Sequence, residues 1–159
     1  MKGELKLKVL LPALILPLAL GGLAAYLTKD GMAMFAAAAK PPLSPPGWIF
    51  APVWTLLYIL MGWASAVVFV SEASQARRER ALTVYLMQLA ANFVWPLLFF
   101  GMELYPAAFV WLLILWALAA ITALLFRYIS LRAGKLMLPY LVWLGFAAYL
   151  NFGVWLLNR

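Results

Sequence analysis

GWIFAPVWTLLYILMGWASAVVFVS, residues Gly47 to Ser71, contains no Asp, Glu, Lys or Arg. At ~1.5 Å per residue, a helix of this length crosses the ~30 Å of hydrocarbon in a bilayer. Four more stretches share the property: Val9–Thr28, Ala81–Gly101, Leu104–Phe126 and Leu136–Asn158. Lipid offers the backbone no hydrogen bonds, so each stretch becomes either a helix or part of a closed barrel. Barrel strands are ~10 residues long and alternate in polarity. These runs are twice that and do not alternate. The expected fold is therefore all-α, a membrane protein built as a five-transmembrane-helix bundle. The spans fall at about 9–28, 48–70, 81–100, 105–127 and 136–157, with a long first loop at 29–47. Residues 1–159 read as a single transmembrane domain.

Composition agrees. Of 159 residues, 68% are apolar and 11% charged, against about half and about a quarter in soluble domains. There is no Cys and no His, which removes thiolate chemistry, disulfides and the usual metal ligand, haem ligand and general base. No metal or cofactor is expected. Lys2–Lys8, the Leu-rich run and Leu23-Ala24-Ala25 imitate a secretory signal, but the apolar run exceeds an ordinary signal core and reads as a span.

The formal charge of +7 requires no nucleic-acid partner. Nine cations lie on the N-terminal side (Lys2, Lys6, Lys8, Arg77, Arg78, Arg80, Arg127, Arg132, Lys135) and three on the other (Lys29, Lys40, Arg159). In a plasma membrane the positive-inside rule puts the N-terminus in the cytoplasm and the C-terminus opposite. Cations at helix ends face anionic lipid headgroups.

The first loop is the longest. Met32–Ala39 has the composition for two turns of helix. Lys40-Pro41-Pro42-Leu43-Ser44-Pro45-Pro46 forces a stiff, extended path. Such a segment is either a rigid connector or a lid over one mouth of the bundle. Of the eight tryptophans, Trp48 and Trp155 suit the membrane interface. Trp54, Trp95 and Trp143 lie deeper. Trp111 and Trp116, flanked by Leu and Ala, suit a partner face or a lipid face. Gln88, Asn92 and Trp95 share one face of the third span, Trp54 and Tyr58 are one turn apart on the second, and Trp143, Ala147 and Asn151 step by four along the fifth. Polar side chains in lipid turn inward and bond across helices. They either glue helices together or furnish an aromatic-walled ligand pocket.

Three blocks carry a resemblance. Lys40-Pro41 to Pro45-Pro46, followed by Trp48, Pro52-Val53-Trp54-Thr55-Leu56-Leu57-Tyr58 and Met61-Gly62, is the first. Gln88-Leu89-Ala90-Ala91-Asn92-Phe93-Val94-Trp95-Pro96 to Phe99-Phe100-Gly101 is the second. Pro139-Tyr140-Leu141-Val142-Trp143, Phe146-Ala147 and Leu150-Asn151-Phe152 form the third. Together they resemble the translocator protein family, whose bacterial members are called tryptophan-rich sensory proteins and whose animal members were first named peripheral-type benzodiazepine receptors.

The resemblance implies a five-helix bundle, often homodimeric, with a pocket between the helices and under the first loop. It implies binding of porphyrin or another flat hydrophobic small molecule, with a transport, sensing or stress-regulatory role. By position the ligand-binding set is Phe35, Trp54, Tyr58, Asn92, Trp95, Trp143, Phe146, Ala147 and Leu150. Phe35 is the lid contact, and Lys40 or Lys29 is a candidate partner for a ligand carboxylate. Leu43 stands where the family usually has Trp, and Phe35 where Tyr is common. Phe152 stands at the Tyr of the animal sterol motif, so specific sterol recognition is not expected. Some bacterial members degrade porphyrins; no catalytic residue is assigned here, but that alternative would rest on Trp54 and Trp143. A membrane assembly role is the third reading.

Overall fold

The computed structural model describes residues 7–159. Lys2 and Lys6, counted above for orientation, lie outside the described residues. Helix α1 is Leu7–Leu27, α2 is Gly31–Ala37, α3 is Phe50–Phe69, α4 is Gln75–Pro96, α5 is Tyr105–Ile129 and α6 is Leu131–Leu157. A single 3-10 turn, Gly47–Ile49, leads into α3, and a wide turn, Leu97–Gly101, continues α4. Among the described residues there is no strand. Five of the helices are long and apolar enough to cross a membrane, and they coincide with the five expected spans. The sixth, α2, is the short helix foreseen in the first loop.

The boundaries differ in one instructive way. Helices α4 and α6 begin at Gln75 and Leu131, ahead of the expected 81 and 136. Counting charge-free residues measures the hydrocarbon, whereas a helix runs on through charged residues once it leaves the lipid. Arg78 shows how: its guanidinium donates to the Ser71 carbonyl at 2.9 Å, tying the first turn of α4 to the end of α3. Pro96 has no N–H to donate, and the chain passes it into the wide turn, where the Met102 amide donates to Leu97 O at 2.9 Å.

The spans form a ring in the order α1–α3–α6–α5–α4, with α1 and α4 closing it. Small residues set the closest approaches. At Gly62 an added Cβ would press on the backbone of Ala13, and at Gly21 it would overlap the Tyr58 ring, so α1 lies flush against α3 there. Indoles pin α5: Trp111 donates to Ala91 O at 2.8 Å and Trp116 to Leu141 O at 3.2 Å. Both tryptophans considered above for a partner face thus hold helices within the chain.

Candidate functional site

A run of buried polar groups crosses the bundle at mid-depth. Tyr58 on α3 donates to Asn92 Oδ1 at 2.8 Å. Asn92 Nδ2 on α4 donates to the Tyr140 hydroxyl of α6 at 2.8 Å, and that hydroxyl donates to Gln88 Oε1 at 2.8 Å. Nearer the first loop, Trp95 donates to Asn151 Oδ1 at 3.1 Å, and Asn151 in turn donates to Tyr105 O. All of these side chains except Tyr105 are buried. In lipid an unmatched polar group is costly, so this network fixes the rotation of three helices and the directions of Trp95 and Asn92.

Rotation set this way brings the aromatic side chains together. The rings of Trp54 and Trp95 lie 6.3 Å apart at 33°. Trp54 meets Trp143 edge-on at 6.5 Å, and Trp95 stacks on Phe99 at 5.3 Å. Trp54, Trp95, Phe50 and Phe100 form a wall with two different sides.

On the α1 side of that wall is a cavity of 390 Å³, within the ~300–1,000 Å³ usual for small-molecule pockets. Tyr58 and Asn92 reach it from α3 and α4; Gly21, Gly22 and Ala25 supply the α1 side. Met32 and Gly47 of the first loop also line it, with the Met32 methyl 3.2 Å from where a Cβ on Gly47 would lie. On the α6 side there is a gap of only 10 Å³, bordered by Phe35, Trp143, Ala147, Leu150 and Asn151 together with Phe99 and the wall. That is about room for one water.

The candidate set is therefore divided. Trp54, Tyr58, Asn92 and Trp95 face the cavity. Phe35, Trp143, Ala147 and Leu150 lie across the wall in the filled gap. Phe146 borders neither; it packs on Trp143 and Tyr149, at 5.5 and 6.1 Å between ring centres. Phe35 is buried among Phe50, Phe99 and Phe100 at 5.6–6.0 Å. The cavity residues that the spacing argument missed include Gly21, Gly22, Ala25, Met32, Phe50 and Phe100. A glycine pair such as Gly21-Gly22 in a span marks close helix packing, but the pair alone does not say which face stands back from its neighbour.

The first loop is fastened to the end of α6. Tyr149 donates to Pro42 O at 2.6 Å. Asn158 accepts from the Ala39 amide at 3.1 Å and donates to the Ala39 carbonyl at 2.8 Å. Lys40 Nζ donates to the carbonyls of Phe35, Ala36 and Ala38 at 2.9–3.0 Å, closing the C-terminus of α2 where a cation is favoured. Its three N–H donors are thereby occupied, while Lys29 Nζ stands 4.8 Å from the centre of the Tyr26 ring. Leu43, at the expected Trp position, is 85% exposed with φ 66°, and borders neither the cavity nor the gap.

These features define a multi-pass integral membrane protein with an aromatic-walled cavity opening among three of its helices. Residues 13–156 match the profile of the TspO/MBR family, and the chain belongs to that family. It is 42% identical to the translocator protein of Ovis aries over 136 residues, covering 84% of this chain and 80% of that one. It is 40% identical to the tryptophan-rich protein TspO of Chlorobaculum tepidum over 119 residues, covering 75% of each. Against the translocator protein of Homo sapiens the identity is 37% over 131 residues, covering 82% of this chain and 78% of that one.

Proposed function

We propose that this protein binds a flat hydrophobic ligand of the porphyrin class in the cavity bounded by Trp54, Tyr58, Asn92 and Trp95, as part of a transport, sensing or stress-regulatory role, with its N-terminus in the cytoplasm. The observation that carries the reading is the cavity itself. It is apolar, has one indole face on each of two helices, and carries a small polar edge of fixed direction. A flat π-system gains from stacking on Trp54 and Trp95. The Asn92 amide, held between two tyrosine hydroxyls, offers its remaining hydrogen-bonding capacity at a defined point. Lys29 follows the cavity residue Thr28, is exposed, and holds its Nζ 4.8 Å from the centre of the Tyr26 ring; a ligand carboxylate near the end of α1 can pair with it. A homodimer is part of the proposal by family resemblance.

The test is a titration of the protein in vesicles with metal-free protoporphyrin, read by tryptophan quenching. Saturable binding is expected. Trp54→Ala weakens it by about tenfold or more, since one stacking face is worth roughly 1–3 kcal/mol. Unchanged affinity in that variant refutes the assignment. The contact of Trp54 with Trp143, whose indole N–H is buried and has no partner among the described residues, favours one further reading, porphyrin degradation through those two indoles. Trp143→Phe separates the two. Retained binding with loss of product supports degradation, while retained binding with no product in either protein supports a plain binding site.

A further inference from the structure

We propose that the cavity is loaded sideways from the bilayer, through a window between α1 and α3, by a lipophile already dissolved in the membrane; this rests on the cavity being a ligand site.

Helices α1 and α3 are flush at Gly62 and Gly21, where an added Cβ would strike Ala13 and Tyr58. Toward the first loop the packing stops. Gly22 and Ala25 on α1, with Ala51 and Thr55 on α3, border the cavity and are exposed. A Cβ placed on Gly22 meets nothing within 4 Å. These four small side chains are the jambs of an opening. Gly22 lies five residues before the end of α1 at Leu27, so the window reaches about 7 Å into the span, where the surroundings are acyl chains.

The first-loop roof, by contrast, is fastened. Met32 closes on Gly47, Asn158 holds Ala39 by two hydrogen bonds, Tyr149 holds Pro42, and Lys40 ties the end of α2. Entry from water through the roof must part Met32 from Gly47 and lift a loop that is tied to α6, whereas entry between α1 and α3 leaves these contacts in place. The window threshold also carries no charge, so it admits the apolar face of a ligand and leaves any carboxylate at the headgroup level near Lys29.

The experiment measures association and dissociation rates of metal-free protoporphyrin with the full chain in phosphatidylcholine vesicles by stopped-flow tryptophan quenching. Gly22→Leu combined with Ala51→Phe narrows the window. A blocked doorway slows association by about tenfold and slows dissociation as well, whereas the loss of a cavity wall contact speeds dissociation. Separately, Ala39→Cys with Asn158→Cys is joined by a short bis-maleimide after folding; the chain has no other cysteine. Joining the roof is expected to change neither rate relative to the same sample before joining. The proposal is overturned if the narrowed window leaves both rates alone, if it raises Kd by speeding dissociation, or if joining the roof slows binding. Absence of saturable quenching in the parent chain refutes the binding site itself, not the route to it.

Discussion

The two sides of the Trp54–Trp95 wall are built from similar aromatic stock and behave oppositely. On the α6 side, Phe35, Phe99, Trp143 and Leu150 fill the space down to 10 Å³. On the α1 side, 390 Å³ stays open. The difference lies in what faces the indoles. Helix α6 meets them with Trp143, Ala147 and Leu150, whereas α1 meets them with Gly21, Gly22 and Ala25. A helix backbone cannot follow a missing side chain inward when Gly62 and Gly21 already hold it against α3. Small residues therefore do two things on one helix: where they touch they bring backbones together, and one turn later they leave a hollow. Tryptophan content alone does not make a pocket; a stand-off opposite the tryptophans does.

Enlarging one residue on each side tests this comparison most sharply. Ala147 is buried beside the filled gap, so Ala147→Phe is expected to destabilise the protein by about 2 kcal/mol, within the usual cost of overpacking. Thermal unfolding in detergent measures it. A smaller loss follows Asn92→Leu, which strands the Tyr58 hydroxyl and removes the bond that Tyr140 accepts, while Tyr140 still donates to Gln88. At an average of roughly 0.6 kcal/mol per interhelical bond in a membrane, losing two bonds is expected to cost about 1 kcal/mol, with weaker protoporphyrin binding besides. Lys40→Met removes the cation from the end of α2. It is expected to cost about 0.5–1 kcal/mol and to raise hydrogen exchange at the amides of Ala38 and Ala39 without altering ligand affinity. The smallest effect is on the open side: Gly22→Leu points into open space and changes stability by no more than about 0.5 kcal/mol, because the better helix propensity of Leu offsets any rim contact. If Gly22→Leu proves as costly as Ala147→Phe, the two sides are not different in kind.

Much of this was legible before any coordinates. The five spans followed from charge-free runs, and the short helix in the first loop followed from its alanines. Asn92, Trp95, Trp54 and Tyr58 were picked out by spacing and do meet at one cavity. The fifth-span group was picked out by the same rule and by resemblance, yet it lies behind the wall. Spacing says which residues share a face; it does not say how far that face stands from its neighbour. Nor did it disclose that Lys40 turns back onto the carbonyls of its own loop, since a lysine before four prolines looks the same whether it caps a helix or greets a ligand.

Sequence alone decided that this chain lives in lipid as five helices, because burying 68% apolar residues with 11% charged ones admits no aqueous surface, and because the backbone in hydrocarbon must bond to itself. The tertiary structure alone decided where the hollow is. That depends on helix rotations locked by the Tyr58–Asn92–Tyr140–Gln88 run and on Gly21, Gly22 and Ala25 facing the indoles from α1, both set by contacts between residues far apart in the chain.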